Sequence, residues 1–216
     1  MNENMKIVDA AEAFDKSAKI YQERSMDVSL FADTFNFFCD HLTSDNAAIL
    51  DIACGPGNIT KYLLDRKPDY KILGIDLSPN MLELARINNP AAQFELMDCR
   101  EISSIKQRFD GIVCGFCLPY LTAEETVELI ANVAGLLAPA GMFYLSTMEE
   151  DDQIKSRYQI SSSGDKVYVN YHRGDFLTKA LLDNNFEVID TKRFRTPDKN
   201  GEMITDLVLI GRKITG

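Results

Sequence analysis

ILDIACGPGNIT, residues 49–60, runs a short apolar segment into a loop with glycines at 55 and 57, a proline between them and an aspartate, Asp51, just upstream. A strand that empties into a glycine loop and then a helix marks a ligand site at the carboxyl edge of a parallel sheet. Gly-x-Gly alone is weak, because a tight strand-to-helix turn needs the same residues with no ligand at all. The next apolar run, YKILGID (70–76), ends on Asp76, 19 residues after Gly57, where a carboxylate can accept both hydroxyls of a ribose. AQFELM (92–97) leads directly into Asp98. Three acidic residues at three successive strand ends point to a site rather than to solvated charge.

The pattern around this stretch alternates. After the strand at 47–53 come a helix from Asn58, the strand at 70–76, a helix opened by Ser78-Pro79, the strand at 92–97 and, after a short turn, the strand FDGIVCG (109–115). Thr122 and Glu125 form a capping-box pattern before a helix, the turn APAG (138–141) follows, and GMFYLST (141–147) is the next strand. Such βαβ units predict a parallel sheet with helices on both faces. FEVIDTKRF (186–194) and MITDLVLIGRK (203–213) are separated only by the turn at 197–201, so they pair antiparallel, since a parallel pair needs a crossover. Upstream, Val8, Ala11, Phe14, Ala18 and Tyr21, then Val28, Phe31, Phe35, Phe38 and Leu42, repeat at helical spacing. The expected organisation is one domain over 1–216, with a helical cap at 1–45 and a polar, irregular lid insertion at 148–172. The strand core is expected to form without the cap.

The chain has 216 residues, 45% hydrophobic and 26% charged, the balance of a soluble globular protein. No apolar run approaches the roughly 18 residues of a membrane span, and the amino terminus lacks a signal-peptide pattern, so a cytoplasmic protein is expected. A formal charge of −10 with scattered basic residues argues against a nucleic-acid partner. Five cysteines, an odd number, predict free thiols.

Two cofactor classes suit a ribose-binding Asp76: dinucleotides and S-adenosylmethionine. A pyrophosphate wants backbone N–H donors and no carboxylate nearby, yet Pro56 has no N–H and Asp51 adds negative charge. Thr60 stands where the dinucleotide fingerprint carries its third glycine or alanine. An acidic crevice suits a cofactor with a sulfonium and an ammonium. On these residues the chain resembles the class I S-adenosylmethionine-dependent methyltransferases of small-molecule type. ILDIACGPG is similar to their first motif, with Ala53 in place of the first glycine; GIDLSPNMLELA and LMDCRE resemble the next two; and FDGIVCGFCLPYL resembles their fourth-strand segment, without the Asn/Asp-Pro-Pro-Tyr sequence of the amino-methyltransferases. The resemblance implies a Rossmann-like doubly wound α/β sheet, mostly parallel with a C-terminal antiparallel pair. It implies S-adenosylmethionine contacts from Asp51, Ala53, Gly55, Gly57, Asp76 and Leu77, with Met81 and Cys99 beside adenine, Asp98 at its amino group, and Gly115 at the end of the fourth strand. AEAFDKSAKIYQERS resembles the opening helix of methyltransferases acting on quinone precursors and acyl thioesters, which implies that Tyr21 closes over the cofactor; a core tyrosine on an amphipathic helix is the competing reading.

Methyl transfer asks little of side chains, because the donor is already activated. His172 is the one candidate general base, with a helix-capping or core role as the competing reading. Phe116, Tyr120, Tyr158, Tyr168 and Tyr171 are candidates for an aromatic substrate wall. Cys114 and Cys117 form a lone Cys-x-x-Cys, read as pocket lining rather than a metal or redox site, and no metal is expected. The resulting expectation is methyl transfer to a small molecule by a monomer or homodimer with no membrane partner. A nicotinamide-dependent oxidoreductase and a non-catalytic S-adenosylmethionine-binding protein are the alternatives.

Overall fold

The computed structural model describes residues 8–198 and 201–214. A seven-stranded sheet runs in the order β3-β2-β1-β4-β5-β9-β8. Its strands are β1 (Ala48–Ile52), β2 (Lys71–Asp76), β3 (Gln93–Leu96), β4 (Phe109–Gly115), β5 (Leu137–Met148), β8 (Phe186–Pro197) and β9 (Met203–Lys213). The first five are mutually parallel, and β9 pairs antiparallel with both β5 and β8. Strand order reverses between β1 and β4, which opens a crevice at their carboxyl ends.

Period-2 alternation along the strands builds two cores. Leu50, Ile52, Ile112, Phe143, Leu145, Leu207 and Leu209 face one layer, filled by Ile130 and Val133 of α5 (Ala123–Leu136) and Leu177 and Leu181 of α6 (Gly174–Asp183). Ile49, Val113, Tyr144, Val208 and Ile210 face the other, filled by Phe35 and Phe38 of α2 (Ala32–Asp40) and Leu63 of α3 (Asn58–Arg66). Both faces are covered, as a parallel sheet requires.

The expected helical cap therefore divides. Helix α1 (Ala10–Ser25) lies over the crevice, where Asp15 accepts from Ser78 Oγ at 2.7 Å and from the Asn80 amide at 3.0 Å, at the start of α4 (Pro79–Asn88). Helix α2 is a core element: Phe35 stacks on Tyr144 at 4.8 Å, and the Phe38 ring sits where a Cβ on Gly111 would stand, 2.7 Å from it. Amphipathic spacing alone cannot tell a lid helix from one that closes the sheet.

Two further differences have local causes. The expected turn at 138–141 is a bulge inside β5: pairing jumps from Phe109↔Leu137 to Gly111↔Met142, and Ala140 takes φ +60°. The stretch expected to be irregular contains a hairpin, β6 (Arg157–Ile160) with β7 (Lys166–Val169), whose alternation is too short to separate from loop by pattern. The capping box at Thr122 and Glu125 forms. Of the turn at 197–201, Lys199 and Asn200 lie outside the described residues.

Candidate functional site

The crevice holds two adjoining cavities, about 300 Å³ and about 210 Å³. Tyr21, Ala53, Gly55, Gly115 and Phe116 line both. Asp76, Leu77, Met81, Asp98 and Cys99 line the larger, and Asp51 lines the smaller. The strand-end residues anticipated from the sequence thus converge, apart from Gly57 and His172.

The loop after β1 takes an unusual path. Ala53, Gly55 and Gly57 adopt φ of +54°, +53° and +77°. Ala53 holds a left-handed conformation that glycine adopts without strain, one mark of a backbone constrained for a purpose. Gly57 serves packing: it precedes α3, Asn89 Nδ2 bonds to its carbonyl at 2.9 Å, and a side chain there would collide with that carboxamide.

Asp76 ties this loop to β2. Its Oδ2 accepts from the Gly55 amide and its Oδ1 from the Ser78 amide, each at 2.9 Å. Burial raises its pKa, against the pull of those amides. Asp51 is 1% exposed; Oδ2 accepts from the Thr60 hydroxyl at 2.6 Å, while Oδ1 has no partner among the described residues. Burial, aided by the nearby Asp76 charge, pushes its pKa up to about 7. A buried oxygen without a donor costs stability unless a ligand supplies one. Asp98 is engaged differently, because Arg100 Nε and Nη2 grip its two oxygens at 2.9 and 2.7 Å. Burial alone would raise its pKa, and the Arg100 contacts bring it below the usual range.

A methyltransferase-domain family model matches residues 49–141, the segment that carries this loop and all three acidic strand ends. Over that segment the chain is similar to methyltransferase domains. Among its relatives, a putative methyltransferase of Invertebrate iridescent virus 6 is 31% identical over 166 residues, which cover 74% of this chain and 62% of that protein. A trans-aconitate 2-methyltransferase of Variovorax paradoxus is 34% identical over 107 residues, covering 50% and 40%. The chain therefore spans less than two thirds of the length of either. A 1,6-didemethyltoxoflavin-N1-methyltransferase of Burkholderia thailandensis, solved with S-adenosylhomocysteine, superposes with a TM-score of 0.65 at 22% identity, over 98% of this chain and 95% of that one. That likeness speaks for the fold.

His172 stands apart from both cavities. Its Nε2 donates to the Leu118 carbonyl at 3.0 Å and lies 3.5 Å from Thr126 Oγ1, and burial lowers its pKa. It is a buried tie between Glu149 just beyond β5, the Leu118 turn and α5, the place of a core residue. Of the aromatic candidates, Phe116, Tyr120 and Tyr168 line the larger cavity. Tyr158 packs on Tyr168 at 5.1 Å, and Tyr171 is buried against Gln159. Cys117 meets Cys99, Sγ to Sγ 3.7 Å, and no group of three metal-ligating side chains exists among the described residues. Two cavity residues, Phe14 and Asn170, and the buried Thr60 that bonds Asp51 are not singled out as site residues by the sequence. Phe14 carries the same helical spacing as Tyr21. Asn170 follows a hairpin that was not recognised. Thr60 was read only as a missing glycine, although its hydroxyl serves Asp51. No helix among the described residues is long and apolar enough to cross a membrane.

Proposed function

We propose that the chain transfers a methyl group from S-adenosylmethionine to a small-molecule acceptor. The observation that carries this reading is the unpartnered, buried Asp51 Oδ1 in a crevice lined by carboxylates, a demand for a cationic donor that a pyrophosphate cannot meet. The residues present fit the cofactor. Asp76, held by two backbone amides, keeps free lone pairs for the ribose hydroxyls; Asp51, steadied by Thr60, receives the ammonium; Leu77, Met81 and Cys99 offer apolar surface to adenine. Asp98 has both oxygens on Arg100, so its part is to fix the wall rather than to be a free acceptor. Tyr21 lies 3.7 Å from the position of a Cβ on Gly55 and covers the loop. When bound, S-adenosylmethionine supplies a methyl group already activated by its sulfonium. The chain then orients the acceptor and excludes water, with α1 and the β6–β7 hairpin as the covering elements. In this reading the protein works in the cytoplasm as a monomer or homodimer, without a nucleic-acid partner.

The test is a thermal-shift screen. At a hundredfold excess over its Kd, S-adenosylhomocysteine should raise the melting temperature by roughly 5–10 °C, from about 2.7 kcal/mol of linkage in a domain of this size. NAD should leave it unchanged. Stabilisation by NAD alone would overturn the methyltransferase reading in favour of an oxidoreductase. Binding of S-adenosylhomocysteine, but no turnover across acceptors, would favour a non-catalytic binder.

Asp51 adds a pH signature. Its folded-state pKa lies above that of an exposed aspartate, so its favourable contribution is present in full below about pH 4 and fades as pH rises through about 7. Asp51→Asn should therefore be more stable than the parent at pH 8, by about 1–2 kcal/mol, with the gap narrower at pH 5 and closed only below about pH 4. It should also bind S-adenosylhomocysteine about tenfold more weakly, since the ammonium loses its counter-charge. Thermal melts and calorimetry at the two pH values check both halves.

A further inference from the structure

The walls of the two cavities carry carboxylates at Asp9, Asp27, Asp51, Asp76 and Asp98, and among the described residues their one cation is Arg100. That guanidinium is already committed, to Asp98 on one edge and to Glu125 Oε1, 3.0 Å from Nη1, on the other. A ligand carboxylate or phosphate entering here finds no unengaged counter-charge. It meets several negative groups in a confined volume, where like-charge contact is costly.

What the cavity offers instead is ring surface. Phe14 meets Tyr21 edge to face at 5.4 Å and Tyr120 at 5.0 Å, and Val167 and Tyr168 close the same chamber from the hairpin. Besides the tyrosine hydroxyls, one carboxamide stands in it, that of Asn170. The backbone amide of Asn170 donates to the Pro119 carbonyl at 2.8 Å, which fixes the residue in place. Its half-buried carboxamide bonds to no other described residue and lines the cavity. A carboxamide both donates and accepts, so it can address a hydroxyl, amine or carbonyl without adding charge.

We infer that the methyl acceptor is an uncharged, ring-bearing small molecule, seated against Phe14, Tyr21 and Tyr120, with Asn170 as its specificity-determining polar contact. This rests on the methyltransferase reading and narrows it. It also sets the chain apart from a relative named for a tricarboxylate, trans-aconitate, whose recognition calls for unengaged cations.

The experiment is calorimetry on the full chain saturated with S-adenosylhomocysteine, using catechol and 4-hydroxyquinoline as uncharged probes and trans-aconitate as the anionic one. The uncharged probes should bind at least tenfold more tightly than trans-aconitate. Asn170→Leu should weaken them about five- to tenfold, the loss of one hydrogen bond, with circular dichroism confirming the fold. Asn170→Lys should raise trans-aconitate affinity tenfold or more, because it supplies the missing counter-charge. Parent binding of trans-aconitate as tight as that of catechol would overturn the inference. So would failure of both uncharged probes at millimolar concentration, or indifference of their binding to Asn170→Leu. The cofactor titration that precedes each run separates the two levels. A chain that takes no S-adenosylhomocysteine fails the methyltransferase reading, whereas one that takes it and prefers trans-aconitate fails only the acceptor class.

Discussion

Deleting residues 1–42 is expected to abolish cooperative folding, whereas deleting residues 1–26 should leave a folded chain with an open crevice. The contrast follows from where the two N-terminal helices sit. Phe35 and Phe38 are 1% and 0% exposed and fill the layer beneath β1, β4, β5 and β9. Thr34 Oγ1 adds a buried hydrogen bond to the Tyr144 hydroxyl at 3.1 Å. Loss of one such phenylalanine costs about 3–5 kcal/mol. Loss of both, with the sheet face opened to water, consumes most of a typical stability of about 5–15 kcal/mol. Helix α1 is held by polar ties, Asp15 to Ser78 and Asn80, and Gln22 to Asn88. The shorter truncation should thus melt cooperatively while binding S-adenosylhomocysteine at least tenfold more weakly, because Phe14 and Tyr21 are gone. Calorimetric melts and titrations of both truncations test this. A cooperative melt after removal of 1–42 would show that α2 is dispensable to the core.

Asp76→Ala should weaken S-adenosylhomocysteine binding by about a hundredfold, toward the upper end of what one buried, charge-assisted acceptor contributes. The expected size reflects two losses. The ribose hydroxyls lose their acceptor, and the Gly55 and Ser78 amides lose the carboxylate that holds the loop after β1 against β2. Asp76→Asn separates them: the amide oxygen can still accept one hydrogen bond, so its binding should fall between parent and alanine variant. Titration calorimetry reads both. Unchanged affinity in the alanine variant would mean that the ribose is held elsewhere.

Much of this molecule was legible before any coordinates. The run from Ile49 to Asp98 imposes β-α-β order, since strands that end in glycine or aspartate and resume after a helical period can return only as parallel neighbours. The same run sets the acidic residues at the carboxyl edge, because a strand's last residue lies at its end in any register. These are one-dimensional facts, set by spacing and by which backbone angles glycine, proline and aspartate allow. Tertiary structure alone decided matters that depend on distance between segments remote in sequence. The period of 3.6 is the same for a helix that covers a ligand and one that covers a sheet, so only packing separated α1 from α2. His172 had the chemistry of a base, but the Leu118 carbonyl, 54 residues upstream, claims its proton. Arg100 holds Asp98 from two residues away, and only the fold brings Glu125 of α5 onto its other edge. Asp51 was legible as a charge. Its unpartnered oxygen was not, because a missing donor is a property of everything folded around the group and of no residue in the sequence.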